Sequence, residues 1–130
     1  EESKAYLMNV FEQFNPRMAE IIERAYEEEW IDFFPRNGKV GGAFCASLDV
    51  QKQFRVLTNF DGSFSDVVTL AHELRHGYHD FMIFENRPLN TNYSMPVAET
   101  ASTFNEVHLG EYQNHKYLLQ NHESLKLLFF

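Results

Sequence analysis

Within nine positions the chain places His72, Glu73, His76, His79 and Asp80, in the stretch AHELRHGYHD. Residues 72 to 76 fit H-E-x-x-H, a pattern that on a helix can bring two imidazoles to one ion. At about 100° per residue, positions i and i+4 lie one turn apart on the same face. Glu73 falls about 100° round from His72. It is better placed to hold a water beside an ion than to bind the ion. The chemistry this allows is metal-assisted hydrolysis. Zinc takes imidazole nitrogen and carboxylate oxygen, and its catalytic sites use three protein ligands with the fourth position left for water. A plainer reading stands beside it, in which two histidines one turn apart are polar packing. Chance alone produces H-E-x-x-H in about three such chains in a hundred.

The metal reading needs a third ligand. Glu99 lies 23 residues beyond His76, in PVAETASTF, on the next expected helix after a turn-rich loop. Antiparallel helices would return it beside the first. Solvent exposure is the ordinary fate of a helical Glu, but among small and apolar neighbours an unpaired carboxylate is costly, which favours a ligand or a buried ion pair. Glu106 is the second candidate, and Glu85 sits too near the far end of the first helix. Ser102 and Thr103, one turn from Glu99, are hydrogen-bond partners for it or simply small packing residues. His79 shares the face of His72, and a supporting role is expected for it rather than ligation. Asp80 is expected as an exposed helix carboxylate, with the orienting of a histidine as the alternative. Cys45 reads as a small buried hydrophobe, since nothing near it in sequence would lower its pKa. His108, His115 and His122 share no spacing that suggests a second site and read as surface.

The elements that must position these residues are helices around one short β element, with no internal repeats. ESKAYLMNVFEQFN has roughly helical spacing and stops near Asn15-Pro16. Asn15 then caps the next helix, with Pro16 at its first position. Met18, Ile21, Ile22, Ala25 and Tyr26 form an apolar stripe leading to Trp30, and Glu27 to Glu29 read as a solvated face. Gly38, Gly41 and Gly42 break any helix. Ala43 to Leu48 can pair with residues 53 to 60 across a short hairpin connection. Ser63 with Asp66 is a capping-box pattern. It opens a helix expected from about Phe64 to Glu85, apolar on several sides and therefore central. A polar loop follows, then a helix from about Pro96 through Tyr112. The closing YLLQNHESLKLLFF is expected to be helical, its apolar end packing against something further on.

The bulk numbers narrow the partners. A chain of 130 residues fits one domain with a single modest core. Its net charge of −8 disfavours nucleic acid and anionic membranes, which reward clustered Lys and Arg. The single cysteine excludes an internal disulfide framework and suits a reducing compartment. No apolar run reaches membrane-spanning length, and EESKAYLMNV lacks the apolar core of a signal peptide.

TLAHELRHGYHD followed by LNTNYSMPVAETASTFNE resembles the catalytic core of the oligoendopeptidase F group, within the thimet-oligopeptidase-like zinc metallopeptidases. GKVGGAFCASL and LTNFDGSFSDV upstream extend the resemblance over roughly residues 30 to 110, with the motif-bearing core at 31 to 110. The resemblance implies a mainly α fold with a small β-hairpin, carrying an HExxH zincin-like core of a larger helical peptidase. It implies one Zn2+ held by His72, His76 and Glu99, with Glu73 as general base and acid. The group also has a His at the position of His79. The resemblance further implies a cytoplasmic enzyme that cuts short peptides in a deep channel. Gly42, Ala43 and Phe44 would then begin a strand edge to which an extended peptide substrate adds, or else an ordinary internal strand.

Two departures stand out. Arg75 replaces a glycine usual in the group, filling space there or reaching into the cleft toward a peptide carboxylate. The group's members are several times longer, and the tyrosine- and histidine-bearing segment that supports their oxyanion has no match here. The sequence therefore reads as a catalytic-core fragment of a zinc endopeptidase. The alternatives are a non-catalytic zinc- or peptide-binding fragment, and a structural helical domain without metal. Self-association, or docking with a missing remainder, follows from the apolar end.

Overall fold

The computed structural model describes residues 2–84 together with Ser94, Pro96, Val97 and Glu99. Helix α1, Glu2–Phe14, ends where Pro16 starts the next helix. Asn15 caps α2, Pro16–Glu27, its side-chain oxygen accepting from the backbone N–H groups of Arg17 and Met18. This is the turn that the sequence predicts. Leu7 and Phe11 of α1 interleave with Met18, Ile22 and Ala25 of α2, all buried. Glu27, Glu28 and Glu29 are exposed, as their run suggests.

A three-stranded sheet follows, in the order β1-β3-β2. The expected hairpin is present as β2, Phe44–Leu48, antiparallel to β3, Gln53–Leu57. The sequence reading lacks the third strand. β1, Ile31–Asp32, is only two residues long and pairs parallel with β3, Ile31 opposite Val56. Such a strand has no periodicity of its own. Trp30 anchors it, buried and edge-on to Phe54 at 5.2 Å between ring centroids.

Helix α3, Phe64–Ile83, lies across this sheet and against α1 and α2. Its start is the expected capping box. Ser63 accepts from the Asp66 N–H, and the Asp66 carboxylate accepts from the Ser63 N–H. Hydrogen bonding with Asp61, and then the bonds with Ser63, hold the Asp66 carboxyl at about 2, below the usual carboxylate range. Val67, Leu70, Ala71 and Leu74 are buried in the core that α3 shares with the other helices and the sheet. Pro96, Val97 and Glu99 are helical, and the rest of the expected helix through Tyr112, like the closing segment, lies outside the described residues.

Candidate metal centre

α3 and one later residue build the centre. The Nε2 atoms of His72 and His76, one turn apart, come within 3.1 Å of each other. Glu99 meets both, one carboxylate oxygen 3.4 Å from His72 Nε2 and the other 3.8 Å from His76 Nε2. One donor atom from each of the three lies within 4.8 Å of the others. Two histidines and a carboxylate converging on one point could hold a single metal ion. Burial and the facing His72 ring both lower the pKa of His76, favouring the neutral imidazole that a metal needs. Glu99 does differ from its expected setting. Its side chain is 48% exposed, so the buried-carboxylate argument fails for it and the imidazole contacts carry the case instead.

Glu73 faces the interior beside this cluster and is 9% exposed. Burial raises its pKa most, the neighbouring Glu99 raises it further, and His72 and the Cys45 backbone pull it down. The edge strand β2 therefore reaches the carboxylate that stands next to the imidazoles. Cys45 is half-buried, and burial, with Asp80 and Glu73 nearby, pushes its thiol up, away from nucleophilic use.

Other candidates separate clearly. Asp80 corrects an expectation. It is 6% exposed rather than solvated, and it accepts a hydrogen bond from Ser47 of β2. The local sequence shows a helix carboxylate, and only the strand 33 residues earlier makes it a buried one. His79 is half-buried on α3. Gly42 has φ +83°, a left-handed turn into β2, and its carbonyl accepts from Asn59. Ala43 is half-buried and Phe44 exposed at the start of that strand. Ser102, Thr103 and Glu106 lie outside the described residues, as do His108, His115 and His122.

Arg75 packs against the first two helices. Its guanidinium lies over the Phe14 ring at 4.9 Å from the centroid, with one nitrogen 3.7 Å from the Met18 sulfur. It seals the joint between α1, α2 and α3, so the cleft role read from sequence gives way to packing. Arg75→Ala is expected to leave metal content unchanged while lowering stability by about 1 kcal/mol, from the lost stacking and side-chain stem. Metal analysis and denaturant melts of the variant check both halves.

Gly77 has no role in the sequence reading, although a glycine inside a long helix is itself a signal of close approach. A Cβ there would sit 2.4 Å from the Phe54 ring. The close contact on this helix is therefore at position 77, two residues beyond Arg75.

Comparison with known proteins gives the family. Residues 6–128 match the model of peptidase family M3. The oligopeptidase PepF of Bacillus subtilis is 33% identical over 127 residues, covering 97% of this chain and 18% of that protein. An oligoendopeptidase F homolog of Mycoplasma genitalium is 31% identical, over 92% of this chain and 21% of its own length. The solved structure of PZ peptidase A superposes with a TM-score of 0.65 at 25% identity, over 76% of this chain and 18% of that one. A structure from Chlamydophila abortus shares the fold with a TM-score of 0.77 at 24% identity, over 83% of this chain and 18% of its own. The chain thus spans about a fifth of the length of the relatives it matches. With the family model matched along almost the whole sequence and relatives above 30% identity covering nearly all of it, the chain belongs to peptidase family M3.

Proposed function

We propose that this chain is the metal-carrying core of a zinc-dependent endopeptidase that hydrolyses short peptides. The observation that carries the reading is the convergence of His72, His76 and Glu99 beside a buried Glu73. A tetrahedral zinc with bonds of about 2.0–2.1 Å separates its donors by roughly 3.3 Å. The two imidazole nitrogens stand 3.1 Å apart, near that value, and each meets a different Glu99 oxygen, at 3.4 and 3.8 Å, so the donor set suits the ion in its chemistry and lies close to its size. When bound, zinc supplies positive charge that acidifies water and polarises the scissile carbonyl.

The chain's own residues do the rest. Glu73 accepts the proton of the attacking water and returns it to the leaving amine. Burial raises the carboxylate's basicity more than His72 and the Cys45 backbone lower it. β2 is the edge strand of the sheet among the described residues, which supports addition of an extended peptide along Gly42, Ala43 and Phe44. A cytoplasmic setting belongs to the same reading, consistent with a single cysteine.

The test is metal content. The chain, loaded with zinc and desalted, is expected to hold about one ion, with His72→Ala and Glu99→Ala each losing it by at least about 10²-fold in affinity. A wild-type chain that retains no zinc would sink the reading. A second reading is favoured by one fact, the fifth of its relatives' length that the chain spans. In that reading the chain binds zinc without turnover, because the channel walls and oxyanion support lie elsewhere. Zinc retention with quenched fluorescent peptides left uncut would select it.

A further inference from the structure

Two contacts tie the edge strand β2 to the metal helix. The Ser47 hydroxyl donates to Asp80, and the Cys45 backbone stands near enough to the Glu73 carboxylate to lower its pKa. Cys45 and Ser47 stand two apart on the strand and so share a face. Glu73 and Asp80 stand seven apart, two turns along one stripe of α3. Strand and helix are thus stitched at two points, about 6.6 Å apart along the strand and about 10.5 Å apart along the helix, one of them the base of the proposed reaction. Hydrolysis as described uses neither Ser47 nor Asp80. A buried carboxylate is costly unless something compensates it, and at 6% exposure Asp80 calls for an account. It follows His76 by one turn on a neighbouring position. Its charge is felt at the His76 imidazole and at the Cys45 thiol.

We propose that Asp80, clamped by Ser47, is a positioning residue of the metal centre. It fixes β2 in register over α3, so that the Cys45 backbone meets Glu73, and it sets a negative charge behind the His76 ligand. The inference rests on the zinc reading above. A carboxylate in a low-dielectric setting favours a nearby cation. Groups that support a ligating histidine typically contribute ten- to hundredfold in metal affinity. The Ser47 hydroxyl is one of the groups that fix where that carboxylate points.

The experiment measures zinc affinity by competition with a chromophoric chelator, for the wild-type chain, Asp80→Asn, Ser47→Ala and Ser47→Thr. Melting of each zinc-free protein is followed in parallel. Asp80→Asn is expected to weaken zinc by about ten- to hundredfold, and Ser47→Ala by about tenfold, with Ser47→Thr restoring the wild-type value. A residue that only stabilised the fold would lower the zinc-free melting temperature and leave affinity unchanged, and that result overturns the proposal. Should Asp80→Asn fail to fold, Ser47→Ala decides, since it removes a single oxygen; unchanged affinity there is equally fatal. A wild-type chain that binds no zinc rejects the metal reading itself, whereas tight wild-type binding matched by every variant rejects the role of Asp80 alone.

Discussion

Glu73→Gln is expected to leave zinc in place and to reduce peptide hydrolysis by about 10²- to 10⁴-fold, the range ordinarily contributed by a positioned acid–base group. The amide keeps the size of the side chain and still meets the Cys45 backbone, but it cannot take a proton from water. The ligand cluster of His72, His76 and Glu99 does not include it, so metal content should not move. The same change has a stability signature of opposite sign. Burial raises the Glu73 pKa above its usual value of 4.5, so the folded zinc-free chain binds a proton more readily than the unfolded one. Stability contributed by this group is therefore present at low pH and lost as pH rises from about 4.5 through the raised folded value. Gln removes that loss, so the zinc-free variant should melt higher than wild type near neutrality. Peptide cleavage assays, metal analysis and zinc-free melts on one pair of proteins check all three statements. A variant that cuts peptides as fast as the parent would remove Glu73 from the mechanism.

Why some of this was legible in the sequence and some was not follows from the range of the interactions. Asn15 with Pro16, and Ser63 with Asp66, act over three residues or fewer. Their side-chain chemistry names the helix starts almost without context. The pairing of His72 and His76 is also local, set by the helical repeat alone. β1 is different. Its two residues are a strand only because Val56 of β3 offers them a ladder, as the bond from the Val56 N–H to the Trp30 carbonyl shows. Asp80 reads as surface until Ser47, distant in sequence, is brought to it. Arg75 likewise takes its meaning from Phe14 and Met18, on helices formed some sixty residues earlier. Residue type and spacing bring Glu99 to the imidazoles, but its surroundings are half open, unlike the buried setting that its apolar neighbours in sequence suggest. Local order was readable, and burial imposed by another element was not.

Gly77 combines both cases and carries the other large effect. In an exposed helix interior, replacing Gly by Ala stabilises by about 1 kcal/mol through backbone entropy. Here the sign should reverse. The added Cβ would stand 2.4, 2.5 and 2.7 Å from three atoms of the Phe54 ring, well inside contact distance. Phe54 cannot swing away, because it is fully buried and set edge-on against Trp30, itself 1% exposed. Relief must come from helix and sheet moving apart, and overpacking of that kind typically costs about 1–3 kcal/mol. Gly77→Ala is therefore expected to destabilise by roughly 2 kcal/mol, with Gly77→Val worse. Because Gly77 follows His76 directly and β3 backs the strand that meets Glu73, parting the two layers should also weaken zinc binding. Glu73→Gln has no such effect, so the two variants separate chemistry from architecture. Phe54→Leu alone opens a cavity and destabilises. Combined with Gly77→Ala it should cost less than the two single changes added together, because the smaller side chain makes room for the methyl. Denaturant melts of the four proteins in that cycle measure the coupling. If Gly77→Ala instead stabilised the chain, Phe54 would not lie against α3, and the seating of the sheet beneath the histidines would have to be redrawn.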